Sequence, residues 1–240
     1  MISRVLGNHV KNKLMKHSFS FLFLLLTVVF SSCLLISNLV AFKVVQIGMI
    51  FVPAGIFLFP LTYIINDCIT EVWGYKKARL IIWLAFAMNF FAVLFYQFAI
   101  ALPPAPFWSH QNAFAAVLSQ TPRVAVASLS AFLVGSFLNA YVMSKMKRSM
   151  QGAHFSLRAI LSTAIGESAD STIFIFIAFY SFLSSQQMIG MIVTQTLLKI
   201  LYEVIVLPVT QRVVVFIKQR EGVDVIDRDI SYRFWKISEV

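Results

Sequence analysis

Five acidic residues lie inside apolar runs: Asp67, Glu71, Glu167, Asp170 and Glu203. Lys199 is the one basic residue equally deep in such a run. Asp67 and Glu71 are four apart, so on a helix both project from one face. In STAIGESADST, the residues Thr163, Glu167, Asp170 and Ser171 share another face at helical spacing. Ionisable groups are costly in hydrocarbon and by default face a polar interior. The chemistry open to them there is solute recognition, or proton carriage by Asp67 or Glu71. The bland alternative is mutual pairing: Lys199 with Glu203 at i, i+4, and Glu71 with Lys76, Lys77 or Arg79. In the same vein, Asn38 and Thr62 can serve as hydrogen bonds between helices, and Arg123 as a snorkelling anchor.

The elements that position these residues are spans. Of 240 residues, 59% are hydrophobic and 12% charged, and the mean hydropathy is +0.82. A soluble domain has about a quarter of its residues charged, so the chain reads as an all-α integral membrane protein with no room for a soluble enzyme domain. Apolar runs predict six spans at about 19–42, 47–71, 78–101, 123–144, 158–183 and 187–217, with a kink at Pro208 in the last. A cleaved signal peptide is the weaker reading of the first run, because it continues well past Cys33. Residues 1–18 and 218–240 read as tails around a six-span domain, 19–217. The Pro-rich connection 102–122 predicts a short amphipathic helix and a lid over the outward mouth.

The net charge of +10 does not indicate nucleic acid. Of 20 basic residues, 17 fall in the N-terminal tail, the 72–79 and 145–158 loops, or at and beyond Arg212. That places both termini in the cytoplasm. Counting ~1.5 Å per residue from Arg158 places Glu167 ~14 Å and Asp170 ~18 Å deep, near the midplane, with Lys199 at similar depth from the opposite side. A polar layer drawn from two spans at that depth suits a small-molecule pathway.

Other chemistries find no support. His9, His17, His110 and His154 lie in the tail and loops, away from metal-ligand spacing. Cys33 and Cys68 sit in apolar stretches as core residues. No phosphate-cradling glycine loop or nucleophile elbow occurs, and no cofactor is implied. Asp67 and Asp170 as an intramembrane aspartyl-protease dyad is the enzyme alternative. Its Tyr-Asp and Gly-x-Gly-Asp signatures are missing, because Asp67 follows Asn66 and Asp170 lies in GESAD.

Four segments carry a resemblance: FPLTYIINDCITEVWGYKKAR from Phe59, PRVAVASLSAF from Pro122, STAIGESADSTIFIFIAF from Ser162, and LLKILYEVIVLP from Leu197. Together they resemble the queuosine precursor transporter family, also called the vitamin uptake transporter family, over about Ser37 to Pro208. The resemblance implies a bacterial inner-membrane importer of 7-cyano-7-deazaguanine, serving tRNA queuosine salvage. It also implies a six-helix bundle resembling the S-components of energy-coupling-factor importers, working without their ATPase module. Its pattern highlights Asn38, Pro60, Asp67, Arg79, Arg123, Ser128, Ser162, Gly166, Asp170, Ser171 and Lys199. Glu167 stands where some members have Asn. The substrate-binding set expected is Glu167, Asp170, Ser171, Lys199, Asn38, Arg123 and Ser128. Glu167 comes first as reader of the guanine-like edge, with Asp170 in its place if Glu167 is not used. Asp67, Thr62, Glu71 and Arg79 are expected at the gate or in coupling. An S-component-like importer of another vitamin is the alternative within transport. The partners expected are a small heterocyclic solute and lipid, without nucleic acid; a homodimer is the assembly to consider.

Overall fold

In hydrocarbon a segment must satisfy its own backbone N–H and C=O groups, and a helix does so internally. The computed structural model describes residues 20–41, 43–47, 50–119, 122–181 and 183–236; the tail assigned to residues 1–18 lies outside these. Six of its helices are long and apolar enough to cross a membrane. They are α1 (Phe21–Val40), α2 (Phe59–Trp73), α3 (Tyr75–Ala101), α5 (Pro122–Ser149), α6 (Phe155–Phe179) and α7 (Ser185–Glu221). A short α4, Gln111–Leu118, lies between α3 and α5, as the sequence predicts. α7 starts at a capping box in which the Ser184 hydroxyl accepts from the Gln187 N–H and Gln187 answers the Ser184 N–H. It then runs through Pro208 without a break.

The second apolar run departs from expectation. Helix was expected from about residue 47. Instead Val44–Ile47 (β1) and Ile50–Pro53 (β2) form an antiparallel hairpin, with Val45 opposite Val52 and Gln46 opposite Phe51. A 3-10 turn, Ala54–Phe57, follows, and α2 begins at Phe59 with Pro60 in its first turn. Proline lacks the N–H that a helix interior needs and is tolerated at a helix start, so Pro60 fixes where α2 begins. A short apolar run rich in β-branched residues cannot be told from helix by periodicity alone.

Packing follows the small residues and the aromatic faces. Phe30, Leu34, Ile69, Ile81, Ile82 and Phe132 build the main apolar core between α1, α2, α3 and α5. α5 and α6 approach most closely at Gly135 and Gly166: a methyl group on Gly135 would fall 2.3 Å from the Tyr63 hydroxyl and 2.9 Å from the Gly166 carbonyl. Outward faces are Phe, Leu, Ile and Val, as on Phe91, Phe95, Ile189 and Leu197, all more than half exposed. Large apolar side chains covering the outside are the mark of a lipid-facing surface, since a water-soluble monomer rarely exposes so continuous a patch.

The segment after α7 packs back onto the bundle. The Val225 N–H donates to the Val72 carbonyl at 3.0 Å. Asp227 accepts from the Tyr75 N–H at 2.9 Å and from the Ser144 hydroxyl at 2.5 Å, capping the start of α3. The turn that allows this is Gly74, with φ +82°, where a side chain would strike Asp227 at 2.7 Å. Farther along, Arg79 donates to the carbonyls of Ser231 (3.1 Å) and Arg233 (2.8 Å), and the Trp83 indole to that of Phe234 (2.7 Å).

Candidate functional site

α2 organises the polar interior. Phe59, Tyr63, Asp67 and Glu71 recur every fourth residue and form one stripe about 18 Å long. Opposite it stand Arg158, Ser162, Thr163, Glu167 and Asp170 of α6, and Lys199 and Glu203 of α7. Each of these α6 and α7 side chains except Lys199 is at least nine-tenths buried. The stripe crosses three levels of different chemistry.

The first level is centred on Lys199. Its ammonium donates to Glu167 Oε2 at 2.6 Å and to Asp170 Oδ2 at 2.8 Å, and lies 4.6 Å from the centre of the Phe59 ring. The i, i+4 pairing of Lys199 with Glu203 is therefore not formed. One cation between two carboxylates gains more Coulomb energy than one beside a single acid on its own helix. Glu167 Oε1, the Tyr63 hydroxyl, the Ser171 hydroxyl and both amide ends of Asn139 are buried without a hydrogen-bond partner among the described residues. Buried polar atoms are nearly always satisfied, so this group is suited to water or a polar solute.

Above that level opens a cavity of about 580 Å³. Asp170 and Lys199 form its charged floor, Asn38, Ser128, Gln187 and Gln195 its polar wall, and Phe59 and Phe174 its aromatic faces. The Ser128 hydroxyl donates to Asn38 Oδ1 at 3.2 Å, joining two of the predicted ligand residues. The mouth lies among the C-terminal ends of α1 and α6 and the N-terminal end of α7, the end opposite the basic loops. None of the described residues of the 102–122 connection lines it; Gln111 instead donates to the Ile100 carbonyl of α3 at 2.9 Å. The expected lid thus lies against α3.

The third level, at the basic end, is saturated. Glu71 receives Arg158 through both oxygens at 2.5 and 3.1 Å, and Lys218 at 2.6 Å. Lys147 lies 3.7 Å from Glu71 and is bonded to its backbone carbonyl and to Asp224. Arg158 also donates to the carbonyls of Gly152 and Ala153. This corrects the expected pairing of Glu71 with Lys76, Lys77 or Arg79. Arg79 is spent on the C-terminal segment, and Lys77 lies over the Phe23 ring. Asp224 is held below the ordinary carboxylate range: partial burial raises it, but hydrogen bonds from Lys147 and Lys218 outweigh that.

Between the two charged levels, Asp67 Oδ1 meets the Ser162 hydroxyl at 3.5 Å, while Asp67 Oδ2 and both oxygens of Glu203 have no partner among the described residues. Asp67 and Asp170 are not hydrogen-bonded to each other, one being held by Ser162 and the other by Lys199, so no protease-like carboxyl dyad is formed. Thr62 bonds its own helix at the Phe59 carbonyl (2.6 Å). Arg123 donates to the Ile177 carbonyl at 2.5 Å and to the Ser181 hydroxyl at 3.2 Å; it ties α5 to the C-terminal end of α6, whose last carbonyls lack helical partners. Neither Thr62 nor Arg123 lines the cavity. Tyr63, Asn139, Phe59 and Gln195 were missed by residue type alone; the four-residue spacing from Phe59 to Glu71 was the available signal for the first and third.

Six helices long and apolar enough to span a membrane, five of which line a solute-sized cavity with an acid–lysine floor, define a membrane protein of the solute-transporter class. A family model described as "Putative vitamin uptake transporter" matches residues 53–213. The chain is 27% identical over 173 residues to the "Probable queuosine precursor transporter" of Bacillus subtilis (strain 168), covering 72% of this chain and 76% of that one. It is 29% identical over 126 residues to the "Queuosine precursor transporter" of Escherichia coli (strain K12), covering 52% of this chain and 54% of that one. The chain belongs to the queuosine precursor transporter family, the vitamin uptake transporters, and the family's work is transport rather than catalysis. No solved structure matches it.

Proposed function

We propose that the protein imports a queuosine precursor, a 7-deazaguanine such as 7-cyano-7-deazaguanine, across a bacterial inner membrane. The basic end then faces the cytoplasm, in keeping with the positive-inside rule, and the cavity mouth faces out. The observation that carries this reading is the cavity floor, a carboxylate and an ammonium side by side beneath two aromatic rings. A deazaguanine offers a ring N–H and an exocyclic amine side by side, and Asp170 can accept both. Its carbonyl and nitrile are acceptors for Lys199, while Phe59 or Phe174 stacks on the ring. Asp170 lines the cavity and Glu167 does not, so Asp170 reads the guanine-like edge and Glu167 holds Lys199 from behind. The S-component-like bundle acts without an ATPase partner, a point tested by uptake in a host lacking energising modules.

The test is restoration of queuosine in the tRNA of a host that cannot make the precursor but is fed it. Wild type is expected to restore it. Asp170→Asn is expected to fail at equal membrane abundance; full restoration by that variant would remove Asp170 from the ligand site.

A further inference from the structure

The level between the cavity floor and the basic cluster has no role in the function proposed so far. Asp67 comes from α2 and Glu203 from α7, and their side chains are almost wholly buried (0% and 1% exposed). Among the described residues three of their four carboxyl oxygens have no partner, and the fourth has only a long contact from Ser162. α2 and α7 pack together at this level: Ile64 and Cys68, either side of Asp67, share one apolar cluster with Tyr202 and Val206, either side of Glu203. Glu71 lies one turn further along α2, held by Arg158 at the third level. The titratable and charged groups that face the pair are therefore identifiable element by element. α2 brings Tyr63, Cys68 and Glu71; α6 brings Arg158, Glu167 and Asp170; α5 brings Lys147 at the basic level; α7 itself carries Lys199 and Lys218.

Among the described residues no cation is left to neutralise Asp67 and Glu203. Arg158, Lys147 and Lys218 are bonded to Glu71, Asp224 or backbone carbonyls, and Lys199 is turned to α6. A buried carboxylate without a partner costs several kcal/mol, and such a group neutralises by binding a proton. Glu71 is the counterexample one turn away: equally buried, it is satisfied by three cations.

We infer that Glu203 and Asp67 form a proton-binding site that passes a proton from the cavity level to the basic end, so that solute entry is coupled to proton entry. Both groups rest as the acid. Asp67 releases its proton at the basic end, Glu203 gives its own to the Asp67 carboxylate, and Glu203 is reprotonated through the cavity; one proton enters and both groups return to their starting state. Glu203 touches no solute and acts as a coupling residue. The inference rests on the importer reading for its solute and direction, but the proton site itself does not.

The purified protein is placed in vesicles holding a pH-sensitive dye, with the membrane potential clamped. Labelled 7-cyano-7-deazaguanine is supplied outside. Wild type is expected to acidify the lumen as the base enters, and an inside-alkaline gradient of one unit is expected to support about tenfold accumulation per proton carried. Glu203→Gln is expected to keep exchange of the base across the membrane while losing both accumulation and acidification. Wild-type entry that stops at equal concentrations with no dye response overturns the coupling, whatever the variant does. If the base does not enter at all, the importer reading fails. Infrared spectra of the purified protein then decide the proton site: a protonated-carboxyl band lost in Glu203→Gln supports it, and absence of that band from wild type overturns it.

Discussion

Two clusters of acids and cations sit at the ends of one helix stripe. Around Glu71, three cations and two acids meet with side chains of Glu71, Arg158 and Lys147 no more than 2% exposed. Around Lys199, one cation meets two acids, with Lys199 at 11% and Asp170 at 8%, reachable from the cavity. The first cluster leaves no buried carboxylate oxygen of Glu71 idle; the second leaves Glu167 Oε1 and a neighbouring phenol and amide unpaired. Charge inside a membrane therefore has two uses here. A saturated network fixes helices, while an unsaturated one with solvent access remains open to exchange partners.

The comparison can be broken most severely at Glu71. Glu71→Ala leaves Arg158 buried without its counter-ion, at a cost of about 3–5 kcal/mol. Folded, monodisperse protein in detergent is expected to be nearly lost, and a normal yield and melting temperature would show that the basic cluster is not structural. At the other cluster, Lys199→Met is expected to cost less stability than Glu71→Ala, since the cavity hydrates Asp170. Uptake of the base should fall roughly 10–150-fold, the worth of about 1.5–3 kcal/mol for a hydrogen bond to a charged group. If this variant unfolds as readily as Glu71→Ala, the distinction between the clusters fails.

Smaller effects sharpen the picture. Gly135→Ala drives a methyl group into the Tyr63 hydroxyl and is expected to lower stability by about 1–3 kcal/mol. Tyr63→Phe in the same chain should recover part of that loss, read as a partial return of the melting temperature. The smallest effect belongs to Asp224, whose side chain is 51% exposed and screened by solvent. Its folded value is lowered, so its contribution is present above the ordinary carboxylate range and is lost as pH falls through the folded value. Asp224→Asn should make stability slightly less sensitive to acid in a melting series from neutral pH downward, with little change elsewhere.

The spans and the intramembrane acids were legible in the sequence because hydropathy and helical spacing are local signals. The depth estimate that put Lys199 level with Glu167 and Asp170 agrees with the observed bridge. Partner choice was not legible. Glu71 finds Arg158 across 87 positions rather than a lysine five residues on. The hairpin before α2 escaped for a different reason: an apolar run of β-branched residues carries no period that separates strand from helix. The C-terminal segment escaped because its mixed charge looks like solvated tail, whereas its contacts run largely through backbone carbonyls, which composition does not reveal.

That segment has a consequence for the order of events during synthesis. Arg79 is completely buried and finds its carbonyl acceptors 152 and 154 positions later. At ~5–20 residues per second, roughly 8–30 s pass between the making of the arginine and of its acceptors. Throughout that interval the basic end of the bundle is unfinished, with the Asp227 cap on α3 and the Asp224 contact to Lys147 also still to come. The basic end therefore closes last: a chain that has reached only residue 222 still lacks the acceptors of Arg79, the cap on α3 and the Asp224 partner of Lys147.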